Sequence, residues 1–359
     1  MSAAPTVSVV MAAYNGAHLI EETLASLAAQ TFGDFEVLVV DDCSTDATRD
    51  VVRGWSDPRV RLIAAPVNGG PVRARNLAFA QARGRYIAGL DQDDICLPTR
   101  FARQVAYLDS HPQVTMVAAA ARVFEGDTER ASPHAPISTP ALIGWLLHVM
   151  NPLVWSTAMI RGDVARTFDP FTDPDCLYAE DFDLYHRLLR HGPVARIDEP
   201  LLRYRDHPGG CSQRYRDTML VNAAGVLARA WTPRLGEDAP AVAEMLARHV
   251  VAGDAVPDRA TLDRLGTTIA LLQAMYLGEM DPDPESRRLI KWETARLWWR
   301  IVRHAMRSGE IGMRDALAVR PDHLGLGHAG INDLLMSGLV GGARSARAPA
   351  TRLVKRVFT

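Results

Sequence analysis

Apolar residues in the first half of the chain come in short continuous runs, separated by stretches in which they recur at helical spacing. Val7 to Ala13, Phe35 to Val40, Val60 to Ala64 and Arg85 to Leu90 read as strands, and the most apolar runs suit burial on both faces. Between them Ile20, Leu24 and Leu27 mark one helix; Val51, Val52 and Trp55 mark a second, behind a Ser44-Thr45-Asp46 cap. A third follows Asn68-Gly69-Gly70-Pro71 and runs through Ala82. Such alternation predicts an α/β fold: a doubly wound, mostly parallel, Rossmann-like sheet with helices on both faces. Val114 to Ala121 and Ser156 to Ile160 are further strand candidates. From about residue 216 the pattern turns Ala/Leu/Arg-rich and helical. The expected organisation is an α/β domain over 1–215, a helical subdomain over 216–338 and a basic tail over 339–359. In the helical part Trp292, Ala295, Trp299, Val302 and Met306, widened by Trp298, Ile301 and Ala305, form a stripe expected to be core.

Composition narrows the class. A length of 359 residues with 48% hydrophobic content suits one large globular domain plus a smaller one. A net charge of -2 provides no basic field for nucleic acid. The N-terminus lacks a basic leader, and no apolar run approaches the ~20 residues that span a bilayer, so a cytoplasmic location is expected. Cys43, Cys96, Cys176 and Cys211 are scattered without a C-x-x-C pair, which argues for reduced, space-filling thiols and against structural zinc. Lys291 and Lys355 are the only lysines. Both a Walker A loop and a receiver domain need a lysine near the strand ends, and both are excluded.

The chemistry gathers at the strand ends, where open α/β sheets bind ligands. Asp91-Gln92-Asp93-Asp94 follows the fourth strand. Its three carboxylates either cap the next helix as a solvated turn or hold a hard divalent cation, Mg²⁺ or Mn²⁺. The first strand ends in Ala12-Ala13-Tyr14-Asn15-Gly16 in place of a G-x-G-x-x-G loop, which disfavours dinucleotide binding. The second ends in Asp41-Asp42, where a carboxylate can accept a pyrimidine N–H while Tyr14 offers an aromatic face. Gly69 to Asn76 then combines a helix N-terminus with Arg73 and Arg75, a combination suited to an anionic group. Base, phosphates and metal would line up across successive strand ends.

In this text the chain resembles the family 2 glycosyltransferases with the GT-A fold. The resemblance covers residues 7 to about 212. It rests on Val7 to Asn15, Gln30-Thr31-Phe32, Val39 to Asp46, Asn68-Gly69-Gly70, Ala74-Arg75-Asn76, Leu90 to Asp94, Glu180-Asp181 and Tyr204 to His207. It implies an inverting transfer of sugar from a nucleotide diphosphate donor, most simply UDP-linked, to a hydroxyl of a carbohydrate or lipid-linked acceptor in cell-surface polysaccharide or glycoconjugate synthesis. Ala12, Tyr14 and Asp42 would line the nucleotide, with Asp91 helping to bind the donor or orienting the metal ligand, Arg75 on the donor and Arg205 facing the diphosphate. Asp93 would ligate the metal, and His207 would join the metal or diphosphate site; a lone histidine is otherwise an ordinary surface or core residue. Asp181 would be the general base, assisted by Glu180. An acidic pair in a helix's first turn also satisfies the macrodipole without any catalytic role. Asp183 is expected at the surface. Two departures stand out: Cys43 replaces a common glycine and is expected to change little, while Trp155 stands where members often carry histidine after Asn-Pro, at the expected acceptor side.

Two other readings share these features: a non-catalytic nucleotide-sugar-binding module, and a nucleotidyltransferase, which would need a basic glycine-rich loop after the first strand. After Asp333 there is no acidic residue, while Arg344, Arg347, Arg352, Lys355 and Arg356 accumulate beside Leu353, Val354, Val357 and Phe358. That tail is either a solvated end or a peripheral contact with the anionic inner face of a membrane.

Overall fold

The computed structural model describes residues 4–131, 135–207, 209–319 and 333–342. They divide into two compact units, one comprising residues up to 147 with 151–226, the other 148–150 and everything from 227 onward. The division falls inside the helix Arg216–Leu235 rather than at its start. Of the basic tail, residues 343–359 lie outside the described residues.

The first unit is built on one sheet with nine strands among the described residues: β1 (Val7–Ala13), β2 (Phe35–Asp41), β3 (Val60–Ala64), β4 (Tyr86–Gly89), β5 (Ile95–Cys96), β6 (Met116–Glu125), β7 (Thr128–Ala131), β8 (Met159–Arg161) and β9 (Val194–Arg205). The order is β3-β2-β1-β4-β8-β6-β9-β5, with β7 hairpinned onto β6. Strands β1 to β4 are mutually parallel, with helices α1 (Ile20–Ala28), α2 (Thr48–Gly54) and α3 (Gly70–Phe79) as crossovers. Their apolar runs are explained by position: β1 and β2 are central and covered, whereas Val60, Leu62 and Ile63 of the edge strand β3 are only half-buried.

Beyond β4 the sheet becomes mixed. Strand β8 runs antiparallel to both β4 and β6, while β6 and β9 pair in parallel. The doubly wound parallel pattern therefore holds for the first four strands, and the second half is α/β of mixed direction. Of Ser156 to Ile160, expected as strand, Ser156 and Thr157 belong instead to the 3-10 turn Trp155–Thr157, which delivers the chain into β8. Strand β9 had no counterpart in the sequence reading. Asp198-Glu199-Pro200 interrupts its apolar run, and the sheet absorbs the interruption as a register shift opposite Ala119 to Ala121. Its far end pairs with β5, Ile95 against Arg203 and Cys96 against Leu202, which lays Tyr204 to His207 beside the Asp91–Asp94 loop.

Strand order reverses between β1 and β4, so the crevice at their C-terminal ends is the switch point at which such sheets take ligands. Tyr14 and Asp91 stand on its two sides.

The second unit is helical, with Ala239–Leu246, Arg259–Met280 and Pro284–Ser308 around buried Trp231, Trp298 and Trp299. The tryptophan stripe is core except at Trp292, which is 52% exposed. In the N-terminal half of its helix only a narrow stripe through Ser286, Ile290, Glu293 and Thr294 is covered; further along the covered face widens. No helix among the described residues is long and apolar enough to cross a membrane.

Candidate active site

The loop after β1 is fixed to the loop after β4 by a reciprocal amide pair. Tyr14 N–H donates to Gln92 Oε1, and Gln92 Nε2 donates back to the Tyr14 carbonyl, both at 3.0 Å. Gly16 makes room for this, since a Cβ there would fall 2.3 Å from Gln92 Oε1. Tyr14 itself is 46% exposed, an aromatic face open to solvent at the crevice, with Ala12 half-buried in the strand below it. Asn15 braces the neighbouring turn by accepting from Thr45 N–H at 2.8 Å.

Asp42 is buried and accepts from two backbone N–H groups, Gly69 to Oδ1 and Gly70 to Oδ2, each at 2.8 Å. The N-terminus of α3 therefore already holds an anion, and that anion is the protein's own carboxylate. This corrects the expectation of an external anionic group there: a helix N-terminus takes whichever carboxylate the fold brings nearest. One lone pair on each oxygen is engaged, leaving the second for an N–H of a bound base. Cys43, next along, has φ +63, the left-handed conformation that explains why glycine is common at this position. It is accommodated with its thiol directed at the Ala65 carbonyl at 3.4 Å.

Arg75 is also corrected. Arg73 is exposed on α3, but Arg75 is buried and lies between two carboxylates. Nη2 donates to Asp91 Oδ1 at 2.7 Å, Nη1 donates to Glu180 Oε1, and the guanidinium lies 5.0 Å from the Trp155 ring centroid. Burial opposes its charge, yet Asp91, Glu180 and Asp181 outweigh burial and hold its pKa above the usual arginine value. Arg75 thus joins the end of β4 to the start of α7 (Glu180–Leu188) instead of pointing at solvent phosphate. The adjacent Asn76 completes the link: its side chain pairs with Thr172 through the backbone N–H, the carbonyl and the hydroxyl, at 2.7–2.8 Å. That clamp positions the segment leading into α7.

Trp155, expected at the acceptor side, is buried under Arg75 and against Gly89, where a Cβ would fall 2.5 Å from its ring. Gly89→Ala is therefore expected to lower stability by about 1–3 kcal/mol, because ring and backbone of Trp155 both block the added methyl. Urea unfolding of the two proteins measures the difference.

Asp93 and His207, expected on the metal side, are brought together. His207 Nε2 lies 2.9 Å from Asp93 Oδ2. The contact is a hydrogen bond, and its imidazole nitrogen and carboxylate oxygen are both donor types that a divalent ion takes. Burial, then the neighbouring Asp91, push the Asp93 carboxyl up, against the pull of His207. Asp94 is fully buried, and burial followed by Asp93 and Asp91 raises its pKa well above the ordinary range. The cluster is short of positive charge. Arg205 does not supply it by facing a diphosphate. Its backbone N–H donates to Asp94 Oδ1 at 2.9 Å, Nε to the Asp93 carbonyl at 2.9 Å, and Nη2 to Glu22 Oε2, with Phe124 beneath the guanidinium. Arg205 ties β9 to the carboxylate loop.

Asp181 opens α7 half-buried. Oδ1 accepts from Phe182 N–H at 2.7 Å and Oδ2 from Asn151 Nδ2 at 2.9 Å. Burial and the Glu180 charge push its pKa up to about 7, against Arg75 and its two hydrogen bonds. A carboxylate poised near neutrality is what base catalysis favours. Asp183 is not at the surface: it is buried and paired with Arg187 Nε at 2.8 Å. The i,i+4 spacing of that pair was visible in the sequence. Gln92, Asn151, Asn76, Ser156 (whose hydroxyl accepts from Asp91 N–H at 3.0 Å) and Glu22 are the supporting residues that sequence reasoning missed.

Comparison with known proteins gives the family and the fold. The family model described as glycosyl transferase family 2 matches residues 8–168. An Escherichia coli relative, the UDP-Glc:alpha-D-GlcNAc-diphosphoundecaprenol beta-1,3-glucosyltransferase WfaP, is 38% identical over 209 residues, covering 57% of this chain and 79% of its own. Among solved structures, S. aureus TarS 1-349 in complex with UDP-GlcNAc superposes with a TM-score of 0.54 at 18% identity, covering 93% of this chain and 90% of that one. The mannosyltransferase PcManGT from Pyrobaculum calidifontis, in complex with GDP-Man and Mn2+, gives a TM-score of 0.50 at 20% identity over 85% of this chain and 87% of that one. A strand-end carboxylate site on this fold, with relatives of this kind, makes the chain a glycosyltransferase and a member of glycosyl transferase family 2.

Proposed function

We propose that the enzyme moves a sugar from a UDP-linked donor to a hydroxyl acceptor with inversion, in the synthesis of a bacterial cell-surface polysaccharide or glycoconjugate. The observation that carries this reading is the Arg75 bridge. One buried guanidinium connects Asp91, on the donor side of the crevice, with Glu180, beside the proposed base Asp181. Donor carboxylates and base then belong to one rigid network rather than to separate surface features. This speaks against the non-catalytic module, which would leave Asp181 remote from the strand ends.

Tyr14 would stack on the base, with Asp42 accepting its ring N–H, and Asp91 would hold the donor. Asp93 Oδ2 and His207 Nε2 are the groups that would hold a divalent ion, Mn²⁺ or Mg²⁺, and the ion would supply the charge that neutralises the leaving diphosphate. Asp181 takes the acceptor's hydroxyl proton as the new bond to the anomeric carbon forms and the bond to the diphosphate oxygen breaks. With one displacement, an α-linked donor yields a β-linkage. Asn151 keeps one Asp181 oxygen oriented throughout. The E. coli relative's name specifies a lipid-linked acceptor, which supports a carbohydrate or lipid-linked acceptor here. The basic segment after residue 342 supports work at the inner membrane face.

A thermal-shift panel of nucleoside diphosphates tests the donor class. UDP with Mn²⁺ is expected to raise the melting temperature more than GDP or ADP does, and UDP in EDTA to have little effect. An equal response to all three nucleotides would overturn the UDP assignment.

A further inference from the structure

Tyr14 is followed by three consecutive backbone N–H groups, and each donates to a side chain of the loop after β2. Asn15 N–H donates to Ser44 Oγ at 3.0 Å, Gly16 N–H to Thr48 Oγ1 at 2.8 Å and Ala17 N–H to Asp46 Oδ2 at 3.1 Å. Asn15 returns the connection, its Oδ1 accepting from the Thr45 N–H and hydroxyl at 2.8 and 3.3 Å. Asn15 has φ +47, and turns of this hand gather successive N–H groups around a bound anion. Here two hydroxyls and the Asp46 carboxylate take that place, as Asp42 takes the N-terminus of α3. Two backbone sites beside the crevice are thus filled by the protein's own side chains.

Asp46 organises the contact. Its Oδ1 accepts from the Thr48 N–H at 3.0 Å and from the Thr48 hydroxyl. Because that hydroxyl gives its proton to Asp46, its lone pairs are left to face Gly16. One carboxylate therefore holds Ala17 directly and Gly16 through Thr48, which is itself wholly buried. Burial opposes the charge of Asp46, yet the Thr48 hydroxyl and the Thr48 and Ala17 N–H groups outweigh burial and hold its carboxyl below the usual range. Expected from sequence as part of the cap of α2, Asp46 also reaches 29 residues back to the loop after β1.

Both loops carry proposed contacts to the nucleotide base. Tyr14 directly precedes the three held N–H groups and is fixed on its other side by Gln92. Asp42 opens the loop that holds Ser44, Asp46 and Thr48. An aromatic face and a carboxylate that meet one ring must be held in register by the residues around them.

We propose that Asp46 is a positioning residue for the donor's nucleotide base: with Thr48 it sets the loop of Tyr14 against the loop of Asp42. This deepens the donor-site part of the function proposed above and rests on it.

Two measurements on the full chain test the assignment: titration calorimetry of UDP in Mn²⁺, and hydrogen exchange of the Asn15, Gly16 and Ala17 amides without nucleotide. Asp46→Ala is expected to weaken UDP binding about tenfold, the scale of a lost hydrogen bond to a charged group. Exchange at Gly16 and Ala17 is expected to quicken at least about tenfold. Removing a negative charge would by itself strengthen binding of a diphosphate, so weaker binding reports position and not charge. Thr48→Val is expected to weaken UDP as Asp46→Ala does, and Thr48→Ser, which keeps the hydroxyl, to bind as the wild type does. UDP affinity at the wild-type level in Asp46→Ala overturns the assignment, whether or not its melting temperature falls, and Asp46 is then a structural cap alone. Unchanged exchange at Ala17 overturns it as well. If the wild type itself binds no UDP in Mn²⁺, the proposed function fails and the positioning role falls with it, a result distinct from wild-type binding that the variant leaves unchanged.

Discussion

Asp181→Asn is expected to reduce kcat by about 10²–10⁴ while leaving UDP affinity close to wild type. A general base acts as the proton leaves the acceptor, so its removal is felt in the transition state and hardly in the donor complex. Asparagine matches the carboxylate in size, and its carbonyl oxygen can still accept from Asn151 or from the Phe182 N–H, so the start of α7 should hold its shape. The pH profile adds an independent sign. The base must be deprotonated, and its pKa is pushed up to about 7 by burial and by Glu180. The wild-type kcat/KM should therefore fall with acidity below about pH 7 and level off above it, and the asparagine variant should lose that limb. Near wild-type turnover in the variant would reduce Asp181 to a helix-start carboxylate.

Arg75→Met is expected to lower folding stability by about 3–5 kcal/mol, because removing one partner leaves a buried charge without compensation. Methionine fills much of the volume over Trp155 but cannot answer Glu180, whose side chain is 5% exposed, or Asp91. Adding Glu180→Gln to the same chain should recover a large part of the loss, since the uncompensated charge is then gone. Denaturant unfolding of the two single variants and the double variant closes the cycle. A loss below about 1 kcal/mol for Arg75→Met, in the range of an exposed pair, would mean that the bridge is incidental. Activity should fall together with stability, as Asp91 and α7 lose their common anchor.

The first four strands and the acids at their ends were legible because a doubly covered strand must be a continuous apolar run. The residues that interrupt such a run at its C-terminal end are then the ones that meet ligand. Strand β9 was hidden because Asp198-Glu199-Pro200 breaks its pattern, and it continues only because its own extra residues are taken up as a register shift opposite Ala119 to Ala121. The pairing of Asp93 with His207 was anticipated from family likeness alone; what brings them together is the β5–β9 pairing, which no local pattern records. Arg75 was assigned to ligand because a sequence shows charges without their distances. In three dimensions it meets Asp91 and Glu180, while Asp42 takes the α3 N-terminus with one lone pair of each oxygen and keeps its place in the proposed nucleotide-base site. Arg205 follows the same rule, engaged by Glu22 from far away in the chain. Asp183 could have been placed correctly, since Arg187 stands one helical turn on.

The central claim is that the strand-end carboxylates form a site for a nucleoside diphosphate together with a divalent cation. Titration calorimetry of UDP into the wild type and into Asp93→Asn, in Mn²⁺ and in EDTA, tests it directly. No lysine stands in the first 290 residues to replace the cation, and Arg75 and Arg205 are both engaged by carboxylates. The expected result is UDP binding to the wild type in Mn²⁺ only, and the same weak binding by Asp93→Asn in either buffer. Equal UDP affinity of the wild type in EDTA and in Mn²⁺ would contradict the account.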